Sequence, residues 1–389
     1  MKKLCIVVSS PFFLEVLLVP QIRALTALFE VTVIVNTSNA QLLRDLNVEA
    51  ALIPVRIERQ IRPLRDILAL LSLYRIFSEE NFDIIHSATP KAGLLSMAAA
   101  FFKGTPIRIH TFTGQVWGTK TGTTRRILKF ADKLTAFFAT AILVDSVSQC
   151  DFIVKERVLS YRKASVLGNG SISGVDIDRF RPSIELRNKI RGTHKIPENA
   201  FVVLYMSRLT RDKGAIIMAE AAAAYNALNQ SSHFIIIGPD EEYLRPQLRD
   251  ICAKFINRVH FVDFVNTPEE YMAASDVFCL PSYREGFGTV LIDAAAAAIP
   301  SIASRIYGSS DAVEDGVTGF LFEPGNLTEL VGFLHRLEKD TELRISMGKK
   351  GRNRAVEMFS EELLTKSLID FYKVRLDEVR RKSPGRHNE

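Results

Sequence analysis

The sequence predicts an α/β protein made of two doubly wound domains in tandem. Three observations support this class. The chain has 389 residues, 47% of them hydrophobic, which is too much for one ordinary core and enough for two. Short apolar, β-branched runs alternate with helical stretches, and this series occurs twice. The segment VLGNGSISGVDIDRFRP, rich in glycine and ending in proline, separates the two series.

The first series contains five candidate strands: LCIVVSS, VTVIVNT, DIIHSAT, PIRIHTF and AILVDS. Near-continuous apolar runs of this kind are typical of strands covered on both faces of a parallel sheet. The opening MKKLCIVVSSPFFLEVLLVP resembles a signal peptide, because a basic pair precedes an apolar run. Ser9, Ser10, Pro11 and Glu15 interrupt that run, however, and no small-residue cleavage site follows. We therefore interpret it as the first strand and helix.

The second series supplies VVLYMSR, HFIIIGP, VHFVDF, VFCLPS and IPSIASR. We place the linker near residues 175–195, the first domain at 1–175, the second at 176–370, and a C-terminal helix with a frayed tail at 371–389. Ligands of open α/β sheets lie outside the carboxyl ends of the strands. The chemistry is therefore expected in strand-end loops, at a cleft between the two domains.

The four cysteines, Cys5, Cys150, Cys252 and Cys279, lie far apart in the sequence without the close pairs of metal or redox motifs. They are interpreted as buried thiols of a reducing compartment. No run approaches the roughly 20 apolar residues that a membrane crossing requires. We expect a cytoplasmic protein, soluble or peripheral on the inner face of the cell membrane.

Positive charge is concentrated in the first half of the chain. Residues 1–175 contain 21 Lys and Arg against 13 Asp and Glu, whereas the whole chain has a net charge of +6. Two stretches, residues 56–77 and 117–138, interleave these cations with apolar side chains, a mixture suited to an anionic bilayer. Ordinary helices with solvated arginines are the alternative. Nucleic acid is not expected as a partner, because the charge does not form a polar, aromatic-studded stripe.

One candidate anion site follows the strand VVLYMSR. Arg208 and Lys213 flank a short loop before a helix start, so two cations converge beside free backbone N–H groups. That combination fits a diphosphate, although a solvated loop with two surface cations would look the same.

A second candidate site follows the strand VFCLPS. Glu285 stands at the strand end, Gly286 and Gly288 precede an alanine-rich helix, and Asp293 lies within it. A carboxylate that complements a helix N-terminus is the simpler interpretation of Glu285 alone.

Taken together, SRLTRDKG and LPSYREGFGTVLIDAAAAAIP resemble the donor site of the family 4 glycosyltransferases. DIIHSATPKAGLLS, RIHTFTG and VLGNGSISGVDIDRFRP resemble a bacterial subgroup that extends polyprenyl-diphosphate-linked glycans for capsule, O-antigen or protein glycosylation. The resemblance implies the GT-B fold, with two Rossmann-like domains facing each other across a cleft, and a C-terminal helix that crosses back onto the first domain. It implies a retaining hexosyltransferase that uses a UDP-sugar carrying a hexose or N-acetylhexosamine, and no cofactor.

The resemblance also implies roles for particular residues. Arg208 and Lys213 would neutralise the departing phosphate, Glu285 would contact the transferred sugar, and His110 would be a further catalytic residue. No metal is expected, because two cations already face the phosphates. The implied donor-binding residues are Arg208, Lys213, Gly238, Phe264, Val265, Glu285, Gly286, Phe287, Gly288 and Asp293.

The acceptor is assigned to the first domain. His86 ends one strand and Lys91 begins the next helix, which again places a cation beside exposed N–H groups. A satisfied structural histidine is an equal alternative for His86. The implied acceptor-binding residues are Phe12, Phe13, His86, Lys91, Thr113 and Gly114.

The chain departs from the family pattern at several positions. Asp293 replaces a glutamate, Ser9–Phe13 replaces a glycine-rich loop, and Thr113 stands where a histidine is usual before Gly114. These departures leave two alternatives open: a sugar-nucleotide epimerase of GT-B fold using Glu285 and His110, and a non-catalytic glycan-assembly binding protein. The sugar, its linkage and the oligomeric state are left open.

Two further motifs are rejected. Gly168, Gly170 and Gly174 nearly form a dinucleotide fingerprint, but the third glycine is one place late. Asp176 and Asp178 resemble a paired-aspartate metal motif, yet they lie in the linker, far from the phosphate cations.

Overall fold

The chain divides into two units. The first comprises Met1–Ser173 together with the C-terminal helix Glu361–Lys382, and the second comprises Gly174–Ser360. The computed structural model describes residues 1–229 and 231–382. The whole of this C-terminal helix belongs to the first unit. The domain boundary that the sequence placed at residue 370 therefore falls inside it. The predicted frayed end after residue 382 lies outside the described residues.

The first unit is built on a parallel sheet of seven strands in the order β3-β2-β1-β4-β5-β6-β7. Both faces of this sheet are covered, as its first strand illustrates. Leu4 and Ile6 join one core cluster, whereas Cys5 and Val7, which point the other way, join another. The strands are β1 (Lys2–Val8), β2 (Phe29–Val35), β3 (Ala51–Pro54), β4 (Ile84–Ala88), β5 (Ile107–Phe112), β6 (Ala141–Val144) and β7 (Ala164–Val166).

Helices α4, α5 and α6 pack side by side on one face of this sheet, and α2 and α16 contribute to the core on the other. The ends of α4 and α5 follow capping rules: proline stands in the first turn, and Asn81 or Gly104 adopts a left-handed conformation after the last. The helices are α1 (Pro11–Phe13), α2 (Val19–Thr26), α3 (Leu42–Asp45), α4 (Pro63–Glu80), α5 (Pro90–Lys103), α6 (Gly122–Phe138), α7 (Val147–Lys155) and α16 (Glu361–Lys382), with a π-helical turn at Leu14–Leu18 and 3₁₀ turns at Val116–Thr119 and Tyr161–Lys163.

The second unit repeats the plan with a six-stranded parallel sheet in the order β10-β9-β8-β11-β12-β13. Its strands are β8 (Phe201–Met206), β9 (Ser232–Ile237), β10 (Val259–Val262), β11 (Val277–Leu280), β12 (Ser301–Ser304) and β13 (Gly319–Phe322). Its helices are α8 (Ile184–Thr193), α9 (Ala215–Leu228), α10 (Arg245–Ile251), α11 (Pro268–Ala273), α12 (Thr289–Ala296), α13 (Ser309–Ala312), α14 (Leu327–Lys339) and α15 (Thr341–Phe359), with 3₁₀ turns at Arg211–Lys213 and Ala253–Arg258.

The strand order reverses direction at one place in each sheet: between β1 and β4 in the first unit, and between β8 and β11 in the second. Loops that leave the carboxyl ends of two such strands diverge, and they leave a crevice that binds ligands in this class of fold. The predicted α/β class with two doubly wound units is therefore confirmed, and the crevice of each unit can be located.

All ten predicted strands are present, and three further strands, β3, β7 and β13, were missed. Each of the three is at the edge of its sheet. β3 and β7 are only three or four residues long and half-buried or exposed, so they lack the continuous apolar run that marks a central strand. The four cysteines are buried and form no disulfide.

Candidate functional site

In the second unit the loop after β8 carries the two predicted phosphate cations. Gly214 ends this loop in a left-handed conformation, with φ of 73°. A Cβ atom at this position would lie 2.0 Å from the carbonyl oxygen of Pro281, so only glycine lets the loop approach the segment that follows β11. This close approach brings the loop of Arg208 and Lys213 beside the loop of Glu285.

Lys213 and Glu285 form the centre of the site. Lys213 Nζ lies 2.6 Å from Glu285 Oε1, and both side chains are largely buried. Desolvation lowers the pKa of Lys213, and the neighbouring carboxylate of Glu285 opposes that shift. The structure therefore joins two residues that are 72 positions apart in the sequence, at the reversal point of the sheet.

Arg208 is also held by a carboxylate, one that the sequence did not suggest. Its Nη1 lies 2.7 Å from Oε2 of Glu241, in the loop after β9. Tyr205, buried in β8, donates its hydroxyl to the carbonyls of Arg208 and Lys213 at 3.2 Å each. Sequence reasoning missed both residues, because Tyr205 looks like a core residue of an apolar strand and Glu241 like a solvated loop residue.

The glycine-rich segment after β11 is rigidly placed. Gly288, with φ of 78°, precedes α12. The side chain of Phe287 is buried against Phe359, with ring centroids 5.2 Å apart, so it anchors the loop in the core. Gly308 lies against the carbonyl of Gly286, where a Cβ atom would approach to 2.5 Å. Phe287 thus holds the loop through its ring, and only the backbone of this segment is suited to contact a ligand.

The other predicted donor residues lie in the loops after β9 and β10 and in helix α12. Gly238 directly follows β9 and lies so close to the loop after β8 that a Cβ atom would meet the Ser207 carbonyl oxygen at 1.8 Å. Phe264 and Val265 follow β10, and Phe264 is exposed. Asp293 lies in α12, where burial raises its pKa to about 8 and Arg179 opposes the shift. Asp293 is therefore mostly protonated at neutral pH.

In the first unit, the predicted residue His86 is hydrogen-bonded to side chains of the same unit. His86 uses both ring nitrogens internally: Nδ1 lies 2.5 Å from the hydroxyl of Tyr372, and Nε2 lies 2.7 Å from the hydroxyl of Thr111. Burial lowers the pKa of His86 to about 4. The imidazole is neutral, and it ties the C-terminal helix α16 to the sheet.

His110, predicted as catalytic, is only 1% exposed. Its Nδ1 lies 2.9 Å from the hydroxyl of Ser87, and its ring lies over Gly93, where a Cβ atom would come within 2.3 Å. Burial, with a smaller effect of His86, lowers its pKa to about 3. The side chain is neutral and enclosed in this structure, and its catalytic role stays a prediction.

Lys91 pairs with Asp66 of α4 at 2.8 Å and donates to the Gln60 carbonyl, with 13% of its side chain exposed. Its charge is therefore used to fix the segment before α4. The remaining predicted acceptor residues lie at the carboxyl end of the sheet: Thr113 and Gly114 follow β5, and Phe12 and Phe13 follow β1. Phe12 is exposed, whereas Phe13 packs partly against the core.

The outer face of α4, α5 and α6 is unusually apolar for a surface. We call it the apolar-basic face, because cations are interleaved with its apolar residues as the sequence predicted. Its exposed apolar members are Leu64, Ile67, Leu68, Leu71, Phe101, Phe102, Ile127, Phe130 and Phe137. Its cations include Arg126 and Lys133, together with Arg65, which pairs with Glu58. Across the part of the chain that the structure describes, we find no helix with the length and hydropathy to span a membrane.

The paired aspartates of the linker cap a turn. Asp176 Oδ1 accepts hydrogen bonds from the backbone N–H groups of Asp178 and Arg179 at 3.1 and 2.9 Å. No group of three or more His, Cys, Asp or Glu among residues 1–229 and 231–382 is arranged to hold a metal ion.

Two family models match the chain in succession. Glycosyltransferase Family 4 matches residues 14–172, within the first unit, and Glycosyl transferases group 1 matches residues 187–354, within the second. The second match contains the loops of Arg208, Lys213 and Glu285.

Relatives and solved structures agree with these models. The chain is 30% identical to the capsular polysaccharide biosynthesis glycosyltransferase CapM of Staphylococcus aureus, over 89% of this chain and 90% of that protein. It is 30% identical to the UDP-Gal:alpha-D-GlcNAc-diphosphoundecaprenol alpha-1,3-galactosyltransferase of Escherichia coli, over 84% of each. Anabaena Alr3699/HepE, solved in complex with UDP-glucose, superposes with a TM-score of 0.80 at 22% identity, over 96% of this chain and 100% of that one.

Proposed function

Because the chain belongs to the family 4, group 1 glycosyltransferases of GT-B fold, we propose that it is a retaining enzyme that uses a UDP-sugar donor. It moves a hexose or N-acetylhexosamine to a polyprenyl-diphosphate-linked acceptor, in the assembly of a cell-surface polysaccharide or glycoprotein glycan. The contact between Lys213 and Glu285, with Arg208 beside it, is the observation that carries this proposal. It gathers two cations and a carboxylate in the crevice of the second unit.

In this proposal Arg208 and Lys213 bind the donor diphosphate. Negative charge grows on the leaving phosphate as its bond to the anomeric carbon breaks, so the two cations stabilise the transition state more than the ground state. Glu285 contacts the transferred sugar. The acceptor oxygen attacks the same face of the sugar from which the phosphate departs, and its proton passes to that phosphate. This route uses no separate base, and the chemistry is assigned no metal.

The names of similar proteins support the substrate classes. The relative from E. coli is named for a UDP-sugar and a diphosphoundecaprenol acceptor. The structures of Anabaena HepE contain UDP, UDP with glucose, or UDP-glucose. Both observations favour UDP as the nucleotide.

A thermal-shift titration tests the donor site. Purified protein is titrated with UDP, GDP, ADP and NAD, with and without magnesium. A ligand of the native state stabilises it by RT ln(1 + [L]/Kd), about 2.7 kcal/mol at a concentration of 100 Kd. We expect UDP to raise the melting temperature without magnesium and the other nucleotides to raise it less.

Two variants of one loop make this test specific. Arg208→Ala should abolish most of the UDP response, whereas Arg211→Ala removes the same charge from an exposed position nearby and should keep it. A response to NAD alone, or equal responses in the two variants, would contradict the donor site.

The lipid-linked acceptor requires access to a membrane, and we assign this contact to the apolar-basic face of the first unit. Large exposed apolar patches on soluble proteins mark interaction sites. Interleaved cations favour anionic phospholipid headgroups, at about 1 kcal/mol for each Lys or Arg near the surface. The enzyme would then work as a peripheral protein on the cytoplasmic leaflet.

Sedimentation with vesicles tests this assignment. We expect the protein to sediment with vesicles that contain phosphatidylglycerol and to remain in solution with phosphatidylcholine alone. Phe130→Ser and Leu68→Ser should weaken sedimentation, whereas Ile345→Ser, at an equally exposed position of the second unit, should not. Equal sedimentation of all three variants would exclude the apolar-basic face as the contact.

A further inference from the structure

The loop between β9 and α10 presents a carboxylate to one of the two donor cations. Glu241 Oε2 lies 2.7 Å from Arg208 Nη1, and the two side chains are 34% and 30% exposed. Glu241 lies 33 residues after Arg208 and outside the motifs that identified the donor site. It is therefore a charged neighbour of the site to which nothing so far assigns a role.

The loop is held in a defined position. Asp240 accepts hydrogen bonds from the N–H groups of Leu244 and Arg245 at 2.8 and 2.9 Å, which caps the start of α10. The guanidinium of Arg245 donates to the Gly238 carbonyl at 3.1 Å. Glu242 accepts from the backbone N–H of Arg211 at 3.1 Å, which joins this loop to the loop after β8. The position of Glu241 beside Arg208 thus follows from the fold.

The electrostatic consequence is that each donor cation has a carboxylate partner within the second unit. Lys213 is paired with Glu285, and Arg208 is paired with Glu241. In the proposed function Glu285 has a task in the complex, because it contacts the transferred sugar. Glu241 has none: a diphosphate that reaches Arg208 competes with it for the guanidinium and is repelled by its charge.

We propose that Glu241 is an exchangeable counter-ion of Arg208 that weakens the binding of the nucleoside diphosphate and speeds its release after transfer. The pair opens as the donor phosphate contacts Arg208, and it forms again as the product leaves. Product release limits turnover in many enzymes, so a residue that re-forms this pair shortens the slow step. The inference rests on the proposed function, since it requires the donor phosphate at Arg208.

Isothermal titration of UDP tests this inference with a matched pair of variants. Glu241→Gln removes the competing charge but keeps the size of the side chain. Glu242→Gln removes the same charge one position away, and its amide oxygen still accepts from Arg211 N–H. An exposed ion pair is weak, so we expect Glu241→Gln to bind UDP about threefold more tightly, with slower dissociation in stopped flow. Glu242→Gln should bind UDP as the wild type does.

A double-mutant cycle tests whether Glu241 acts through Arg208. In the Arg208→Ala background, Glu241→Gln should give no gain in UDP affinity, because the residue it competes for has been removed. Unchanged or weaker binding by Glu241→Gln would overturn the inference. An equal gain in Glu242→Gln, or a gain that persists without Arg208, would do the same. If the wild type binds no UDP, the proposed function itself fails and this inference falls with it.

Discussion

The two units share one strand order, apart from an extra edge strand in the first, yet their predicted polar residues are arranged differently. In the second unit Arg208, Lys213 and Glu285 gather at the reversal point of the sheet. In the first unit His86 lies on β4 and Lys91 in α5, and they have separate partners: His86 bonds to Tyr372 and Thr111, whereas Lys91 pairs with Asp66. The predicted polar residues therefore form one cluster in the second unit, whereas those of the first unit have separate partners.

The first unit presents instead an exposed apolar surface with cations between its apolar residues. Such a surface suits a lipid-linked acceptor, which is recognised at a bilayer, whereas a nucleotide is recognised by charges in a crevice. Under the proposed function, the second unit would recognise the donor by charge and the first unit would recognise the acceptor through its exposed surface.

Two lysines with similar surroundings give the sharpest test. Lys213 and Lys91 each contact a carboxylate within 2.8 Å and are mostly buried. We expect Lys213→Met to lower kcat/KM for transfer about a hundredfold or more, because a preorganised donor to the leaving group is removed. Lys91→Met should lower it less than about tenfold and chiefly reduce stability, since Asp66 loses its partner.

Circular dichroism and thermal unfolding of both variants separate activity from folding, and Lys213→Arg restores the charge as a second control. A folded Lys91→Met protein that has lost as much activity as Lys213→Met would break the comparison. It would return Lys91 to the acceptor site that the sequence suggested.

The buried histidines make the first unit sensitive to acid. The pKa of His110 is lowered to about 3 and that of His86 to about 4, from 6.5 in an unfolded chain. Below pH 6.5 these histidines bind protons in the unfolded chain but stay neutral in the folded unit. Stability is therefore complete above pH 6.5 and falls as the pH drops toward 4, by about 1.4 kcal/mol for each pH unit and each histidine.

Urea unfolding at pH 6.5 and pH 5.0 measures this effect. His110→Asn should be less stable than the wild type at neutral pH. It should lose less stability between pH 6.5 and pH 5.0, because one histidine that protonates only on unfolding has been removed. An identical loss in wild type and variant would show that His110 is not buried in a neutral form. In the second unit burial also lowers the pKa of His260, to about 4, so the wild-type loss should include a contribution from that unit.

The sequence predicted much of the second unit's site because the evidence there is local. Arg208 and Lys213 lie five residues apart on one loop, and Glu285 directly precedes the glycine segment. Glu241 and Tyr205 were missed, because their contacts depend on how neighbouring strands align and not on nearby sequence. The partners of His86 were missed for the same reason: Tyr372 lies 286 residues away.

Tyr372 tests whether His86 is structural. Its hydroxyl lies 2.5 Å from His86 Nδ1, and the residue is fully buried. Tyr372→Phe keeps the ring but leaves the nitrogen without a partner, so we expect a loss of about 1–2 kcal/mol in the free energy of unfolding. Tyr161→Phe removes the hydroxyl of an exposed tyrosine bonded to Asp151 and should change stability by less than about 0.5 kcal/mol.

The kinetic readout distinguishes the two roles of His86. If His86 only ties α16 to the sheet, the KM for the acceptor should stay within about twofold in Tyr372→Phe, by analogy with other structural substitutions. A rise of about tenfold at unchanged kcat would mean that Tyr372 orients His86 toward the acceptor. The first unit would then use a polar strand-end residue as the second unit does.

The smallest expected effect is at Asp293, in helix α12 of the second unit. Because its pKa is raised to about 8, the carboxyl group is already mostly protonated at pH 7, and Asn has nearly the same shape and hydrogen-bonding capacity. We expect Asp293→Asn to bind UDP within about twofold of the wild type at pH 7 by isothermal titration, and Glu285→Gln to lose most transfer. If Asp293 ionises to accept bonds from the ribose when UDP binds, Asp293→Asn should instead bind UDP about tenfold more weakly, and wild-type affinity should rise between pH 7 and pH 9. That result would add a fourth charged group to Arg208, Lys213 and Glu285 in the donor site and widen the contrast with the first unit.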